Sequence, residues 1–155
     1  MEQETLADHL RRATRNFTTR LPEDRVFTIG HALAAELARA HAEQPPRHPD
    51  LDPDAIPMTE GMPRLVGGGA LGDGSEDVFR LGCLLNSLVL GTPVHVSWRL
   101  DGPPPAEAST VRRRAILASL AAPRRAERYA TAEEAARDLQ VALTPAAAAA
   151  SSAVA

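Results

Sequence analysis

"SEDVFRLGCLLNSLVL", residues 75–90, decides the fold. Its spacing predicts a helix, and Val78, Phe79, Leu81, Cys83, Leu84, Leu85, Leu88, Val89 and Leu90 occupy nearly every side of it. A helix on the surface keeps a polar face, so one that is apolar all round belongs at the centre of a bundle. The same stretch is too short to cross a bilayer and carries Arg80 and Asn86. It predicts a buried hub with the other helices packed around it.

Immediately before the hub, "RLVGGGALGDG" (residues 64–74) contains Gly67, Gly69 and Gly72, which satisfy G-x-G-x-x-G. A dinucleotide-binding loop of that pattern opens its helix directly and sits within a wider βαβ sheet. Here "DGSE" intervenes and no second βαβ unit follows. The glycines are read instead as a flexible bridge into the hub.

Further out, "TLADHLRRA" (residues 5–13) predicts a short amphipathic helix capped by Thr5, with Leu6 and Leu10 on one face. Pro22, Glu23 and Asp24 suit the positive end of a second helix. Its stripe is Ile29, Leu33, Leu37 and Ala40, and Pro45 and Pro46 stop it near residues 41–44. Residues 45–74 read as loop with one hairpin, whose arms Ile56–Met58 and Arg64–Val66 turn around "TEGM". Val94, Val96, Trp98 and Leu100 alternate, as in a short strand or an extended loop. A third helix over roughly 109–121 uses Val111, Ala115, Ile116 and Leu120. A fourth starts at a capping box, Thr131 with Glu134, and buries Ala132, Ala135, Leu139 and Leu143. Residues 144–155, rich in alanine and serine, are expected to be a disordered tail.

The 155 residues suffice for one domain, 1–143, and one core. Aromatic residues make up 3% of the chain and alanine dominates, which favours closely packed helices over large sheets. All 17 basic residues are arginine, so the chemistry of a phosphate-binding, Schiff-base or general-base lysine is excluded. A net charge of −3 gives no reason to expect nucleic acid or an anionic membrane as partner, and Arg112–Arg114 read as a solvated helix face. The single cysteine, Cys83, excludes an internal disulfide and a cysteine-rich metal site, and reads as a small core residue. "MEQETLADHL" lacks the layout of a signal peptide, and a cytoplasmic location is expected.

"RHPDLDPDAIPM", residues 47–58, resembles the catalytic loop of protein kinases, His-Arg-Asp-Leu-Lys-Pro-x-Asn-Ile, with His48, Asp50, Leu51, Pro53 and Ile56 in register. "ELARAHAEQPPRH" is similar to the helix leading into that loop. "EDVFRLGCLLNSLVLGTPV" resembles the buried central helix of the kinase C-terminal lobe, with Asp77 and Gly82 at their places. "AERYATAEEAARDL" looks like the family's closing arginine, here Arg128, and last helix. The resemblance implies a mainly α, minimal kinase-like C-lobe of four to five helices around 75–90 with one small β-hairpin. His48 would buttress the loop, and Arg128 would lack its usual glutamate, leaving it to another carboxylate or to solvent.

The departures from that pattern concern catalysis. Asp50 keeps the position of the proton-accepting aspartate, but the following lysine is Asp52 and the magnesium asparagine is Ala55. Gly67–Gly69 stand where the family has Asp-Phe-Gly, and seven residues separate Gly69 from Asp77, too few for an activation segment. A glycine-loop N-lobe with its lysine is likewise not legible ahead of the second helix. Asp50, Asp52 and Asp54 also alternate like the start of a calcium loop, but Ala55 and Gly61 stand where that loop needs glycine and glutamate. The expectation is a non-catalytic pseudokinase fragment, with no cofactor or metal, serving as a protein-interaction, scaffolding or regulatory module. Two alternatives are residual nucleotide binding or phosphotransfer through Asp50, and the C-lobe half of a split kinase. The partner would be another protein or a second copy. It would bind a surface around Ile56, Met58, Met62, Leu65, Val66 and Leu71 that the missing covers leave open, with Trp98 a further contact if exposed.

Overall fold

The computed structural model describes residues 3–14, 21–92, 94–105 and 108–143. Six helices and one hairpin follow in chain order: α1 (Leu6–Thr14), α2 (Glu23–His41), β1 (Met58–Thr59), β2 (Met62–Pro63), α3 (Gly74–Leu90), α4 (Trp98–Asp101), α5 (Val111–Leu120) and α6 (Ala132–Leu143). The residues expected to form a tail, 144–155, lie outside the described part.

α3 is the hub. It is delimited by chemistry the sequence carries at both ends. The Asp73 side chain accepts a hydrogen bond from the Ser75 amide, and Gly91 closes the helix in the left-handed conformation at φ 72°. Residues 77–79 and 81–88 are all buried. α2 crosses it through Val26, Ile29, Leu33 and Leu37, all fully buried, and packs most extensively on α6. α5 crosses α3 on another side, where Gly82 makes the contact possible. A Cβ built on Gly82 would lie 2.5 Å from the Leu120 carbonyl carbon. Asn86, one turn on, is buried and donates to the carbonyls of Gly82 and Leu117 at 2.8 and 3.1 Å, so this crossing is closed by polar bonds as well as packing.

The N-terminal helix is capped reciprocally. Thr5 Oγ1 accepts from the Asp8 amide, and the Asp8 carboxylate accepts from the Thr5 amide. That backbone bond, first among the causes, holds the Asp8 carboxyl below its ordinary range. The segment before α1 pairs with residues 56–58, through Leu6 N–H to Ile56 O at 2.7 Å and Met58 N–H to Glu4 O at 2.8 Å. The hairpin therefore turns more tightly than its sequence implied. Glu60 and Gly61 both have positive φ, 54° and 77°, forming a two-residue loop whose twist suits the flanking strands. Met58 then faces Pro63 and Thr59 faces Met62, so the strands hug the turn; Pro57 O accepts from the Arg64 amide, while Ile56 O and the Met58 amide bond the N-terminal segment.

Two elements differ from expectation. The alternating stretch 94–100 forms no strand: residues 94–97 are loop and turn, the sheet among the described residues holds only β1 and β2, and Trp98 opens the short helix α4. Trp98 is its single buried apolar residue, whereas Val94, Val96 and Leu100 are exposed. On α5 the buried positions are Ile116, Leu117 and Leu120; Val111 and Ala115 face solvent. No helix among the described residues is long and apolar enough to cross a membrane.

Candidate functional site

The loop between α2 and β1 is held by its own acidic side chains. The Asp50 carboxylate accepts from the Asp52 amide and the Asp52 carboxylate from the Asp54 amide, both at 3.0 Å. Successive aspartates thus turn the backbone, and Asp50 itself remains exposed. Leu51 and Ile56 anchor the loop in the core. Asp54 reaches Arg11 of α1 at 3.3 Å.

The glycine stretch lies against this loop rather than swinging free. His48 N–H donates to Gly69 O at 2.9 Å, and Arg47 donates to Gly67 O at 2.7 Å. Gly68, at φ 86°, brings its backbone so near that a Cβ would sit 2.4 Å from His48 O. Gly72 passes over the imidazole of His48, where a Cβ would fall 2.5 Å from Cγ. Close backbone approach, not pyrophosphate, explains two of the glycines.

Beneath the loop, three side chains from three segments converge. Asp77, 5% exposed in the first turn of α3, has its Oδ2 2.6 Å from His48 Nδ1 and 2.8 Å from His41 Nε2. The two rings are 5.1 Å apart between centroids and tilted by 47°. A buried carboxylate needs such partners, and two imidazoles supply them. His41 was missed: it closes α2, and its pairing with a carboxylate 36 positions away is a tertiary matter with no local signal. The faint signal was a second histidine seven residues ahead of His48 at a proline-stopped helix end.

Among the described residues no carboxylate pairs with Arg128, which is half-buried. Its guanidinium donates to the carbonyls of Ala122, Ser75 and Pro123 at 2.9 to 3.0 Å and lies over the Phe79 ring at 4.9 Å. Carbonyl dipoles and a ring face replace the missing glutamate. Cys83 is buried, and that burial pushes its thiol up to about 11, as suits a core residue.

An apolar groove of about 810 Å³ runs beside Asp50, lined by Leu51, Pro53, Phe79, Leu88, Val94 and Val96 among others. Of the residues expected on an open contact surface, Ile56, Met58, Leu65 and Trp98 are buried within their own chain, at 6% exposure or less. Ile56 and Met58 are covered by the N-terminal segment, and Trp98 packs with Phe79, Cys83 and Ala121. Met62 is half-buried, and Val66 and Leu71 are open at 58% and 97%. The exposed apolar surface thus differs from the expected one: it keeps Met62, Val66 and Leu71 and gains Val94, Val96 and Leu100.

The helical order, the hub and the loop beside it define a kinase-like fold in the mainly α form of a C-lobe, with one two-stranded antiparallel hairpin. Among solved structures, the chain is similar to the kinase domain of Mycobacterium tuberculosis PknI, with a TM-score of 0.63 at 19% identity. That match covers 91% of this chain and 63% of the PknI domain, so the chain spans less than two thirds of its neighbour. No family model matches the sequence, and no curated protein does.

Proposed function

We propose that the chain is a non-catalytic pseudokinase module that works by binding another protein. One observation carries this reading. Beside Asp50, where phosphoryl transfer needs a carboxylate on magnesium, the backbone of Gly67–Gly69 is drawn against His48 so closely that a side chain at Gly68 has no room. Ala55 replaces the second metal ligand and Asp52 the phosphate cation. Phosphoryl transfer depends on positioning and charge neutralisation, and a lone base supplies neither. The groove beside Asp50, with exposed Val94 and Val96 at its edge, is the surface this reading assigns to a partner. The test is a thermal melt with and without ATP and magnesium, run beside a phosphotransfer assay on a generic basic protein. Neither a shift nor transfer is expected. A rise in melting temperature abolished by Asp50→Ala would overturn the proposal in favour of residual nucleotide binding.

A second reading is that this kinase-like fold docks with a kinase N-lobe. Nucleotide-dependent stabilisation that appears only after a kinase N-lobe is added would favour it.

A further inference from the structure

We propose that His41, His48 and Asp77 form a binding site for a divalent transition-metal ion, with Zn2+ as the natural occupant. The inference does not depend on the function proposed above. Three potential ligand atoms, one from each side chain, lie within 4.8 Å of one another. Two are imidazole nitrogens and one is a carboxylate oxygen, a set that suits zinc better than magnesium or calcium, which take oxygen ligands. The nitrogens approach the same oxygen, Asp77 Oδ2, from different sides, at 2.6 and 2.8 Å. Those are hydrogen-bond distances. Zinc bonds of about 2.0–2.1 Å at tetrahedral angles place neighbouring ligand atoms about 3.3 Å apart. Metal entry therefore needs each nitrogen to draw back from Oδ2 by about half an ångström and the two nitrogens, now within 4.8 Å, to settle at about the same 3.3 Å spacing.

The surroundings favour occupancy. The site joins the end of α2, the start of the acidic loop and the first turn of α3, so its ligands are carried by elements anchored in the core. Both histidines line a cavity of about 610 Å³, which also touches Gly72, Asp73, Thr131 and Glu133. That cavity offers an entry path and room for a water as fourth ligand. On binding, each imidazole presents a lone pair to the metal and carries its proton on the other nitrogen. His41 is then metallated through Nε2 and His48 through Nδ1, a mixed pattern that follows from the geometry.

The experiment uses the full chain, stripped with a chelator and returned to buffer. Titration with Zn2+ is expected to give one ion per chain and a raised melting temperature, with no effect from Mg2+. Co2+ should give the visible bands of a tetrahedral site. His41→Gln, at a partly exposed ring, should keep the fold and weaken Zn2+ binding by more than about a hundredfold, since losing a direct ligand costs more than the roughly 10–100-fold of losing an outer partner. Nitrogen-15 imidazole spectra of the wild type provide a readout that no variant can spoil by unfolding. Of the five histidines, two must respond to Zn2+, one at Nε2 and one at Nδ1. Absence of stoichiometric Zn2+ at micromolar concentration would overturn the proposal. So would binding that survives both His41→Gln and His48→Gln, or a spectrum in which other histidines move.

Discussion

Two glycines at two helix crossings should respond very differently to the same added methyl group. At Gly82 the new Cβ meets backbone, 2.5 Å from the Leu120 carbonyl carbon and 2.6 Å from the Ala121 amide nitrogen. At Gly30 it meets only the tip of a side chain, Leu85 Cδ1 at 2.7 Å. Ordinary contact begins near 3.4 Å, so Gly82→Ala must push α5 off α3 by nearly an ångström. That opening also strains the 3.1 Å bond from Asn86 to Leu117 O. Overpacking of a dense core costs about 1–3 kcal/mol, and a stretched buried hydrogen bond adds about 1. Replacing glycine by alanine inside a helix returns about 0.5–1 kcal/mol. The net expectation for Gly82→Ala is a loss of about 1–3.5 kcal/mol, a large share of a small domain's stability. Gly30→Ala should fall within about 1 kcal/mol of wild type, because a Leu85 methyl can rotate and the propensity gain offsets the crowding. Urea denaturation followed by circular dichroism reads both, with unchanged slope required for comparison. A Gly82→Ala variant as stable as wild type, or Gly30→Ala as the weaker of the two, would refute the account of the α3–α5 crossing.

Leu85→Asp should fail to fold, since an unpaired carboxylate at a fully buried hub position costs several kcal/mol; a soluble variant with native circular dichroism would contradict the hub. Arg113 is mostly buried, bonds Glu23 at 2.7 Å and lies over Phe27 at 4.7 Å, so Arg113→Ala should cost about 2–4 kcal/mol in urea denaturation. Cys83 should resist alkylation in the native chain and react on unfolding. Its raised value means the unfolded thiol ionises first, so the stabilisation is complete below pH 9 and lost as pH rises toward about 11. Tyr129, raised by burial and then by its bond to Asp138, acts in the same direction from its ordinary value of 10.0 upward, so alkaline melts should fall steeply above pH 10. If a partner or a second copy uses the groove beside Asp50, Val94→Ser with Val96→Ser should reduce association without changing the melt; light scattering that shows an unchanged assembly would move the interface elsewhere.

The hub and its neighbours were legible because burial is written locally. Nine apolar residues in 78–90 leave no polar face, and a capping box marks α6 at Thr131. The same logic misled at 94–100. Alternation there suited a strand or an extended loop, but three of its four apolar residues face solvent and no strand among the described residues pairs with it. Val111 was misread for a related reason: it opens α5, before the helix reaches the core. Loop residues were the hardest. Ile56 and Met58 looked uncovered because the segment that covers them, residues 4–6, lies some fifty positions away in the chain. The histidine–aspartate cluster was half visible, through His48 and Asp77, while His41 needed the fold to bring it in.

The pairing of α2 with α6 sets the order in which this chain can mature during synthesis. α2 presents Val26, Phe27, Leu33 and Leu37 early, yet its most extensive partner is the last described helix. Chain emerges at about 5–20 residues per second, so a nascent α2 waits several seconds before Ala135 and Leu139 leave the ribosome to cover it. During that interval α3 is its available shelter, and a growing chain stalled between the two helices would expose a long apolar stripe. Handling by chaperones should therefore be sensitive to translation speed after residue 90. Synonymous slowing of that segment would lower soluble yield without changing a single side chain.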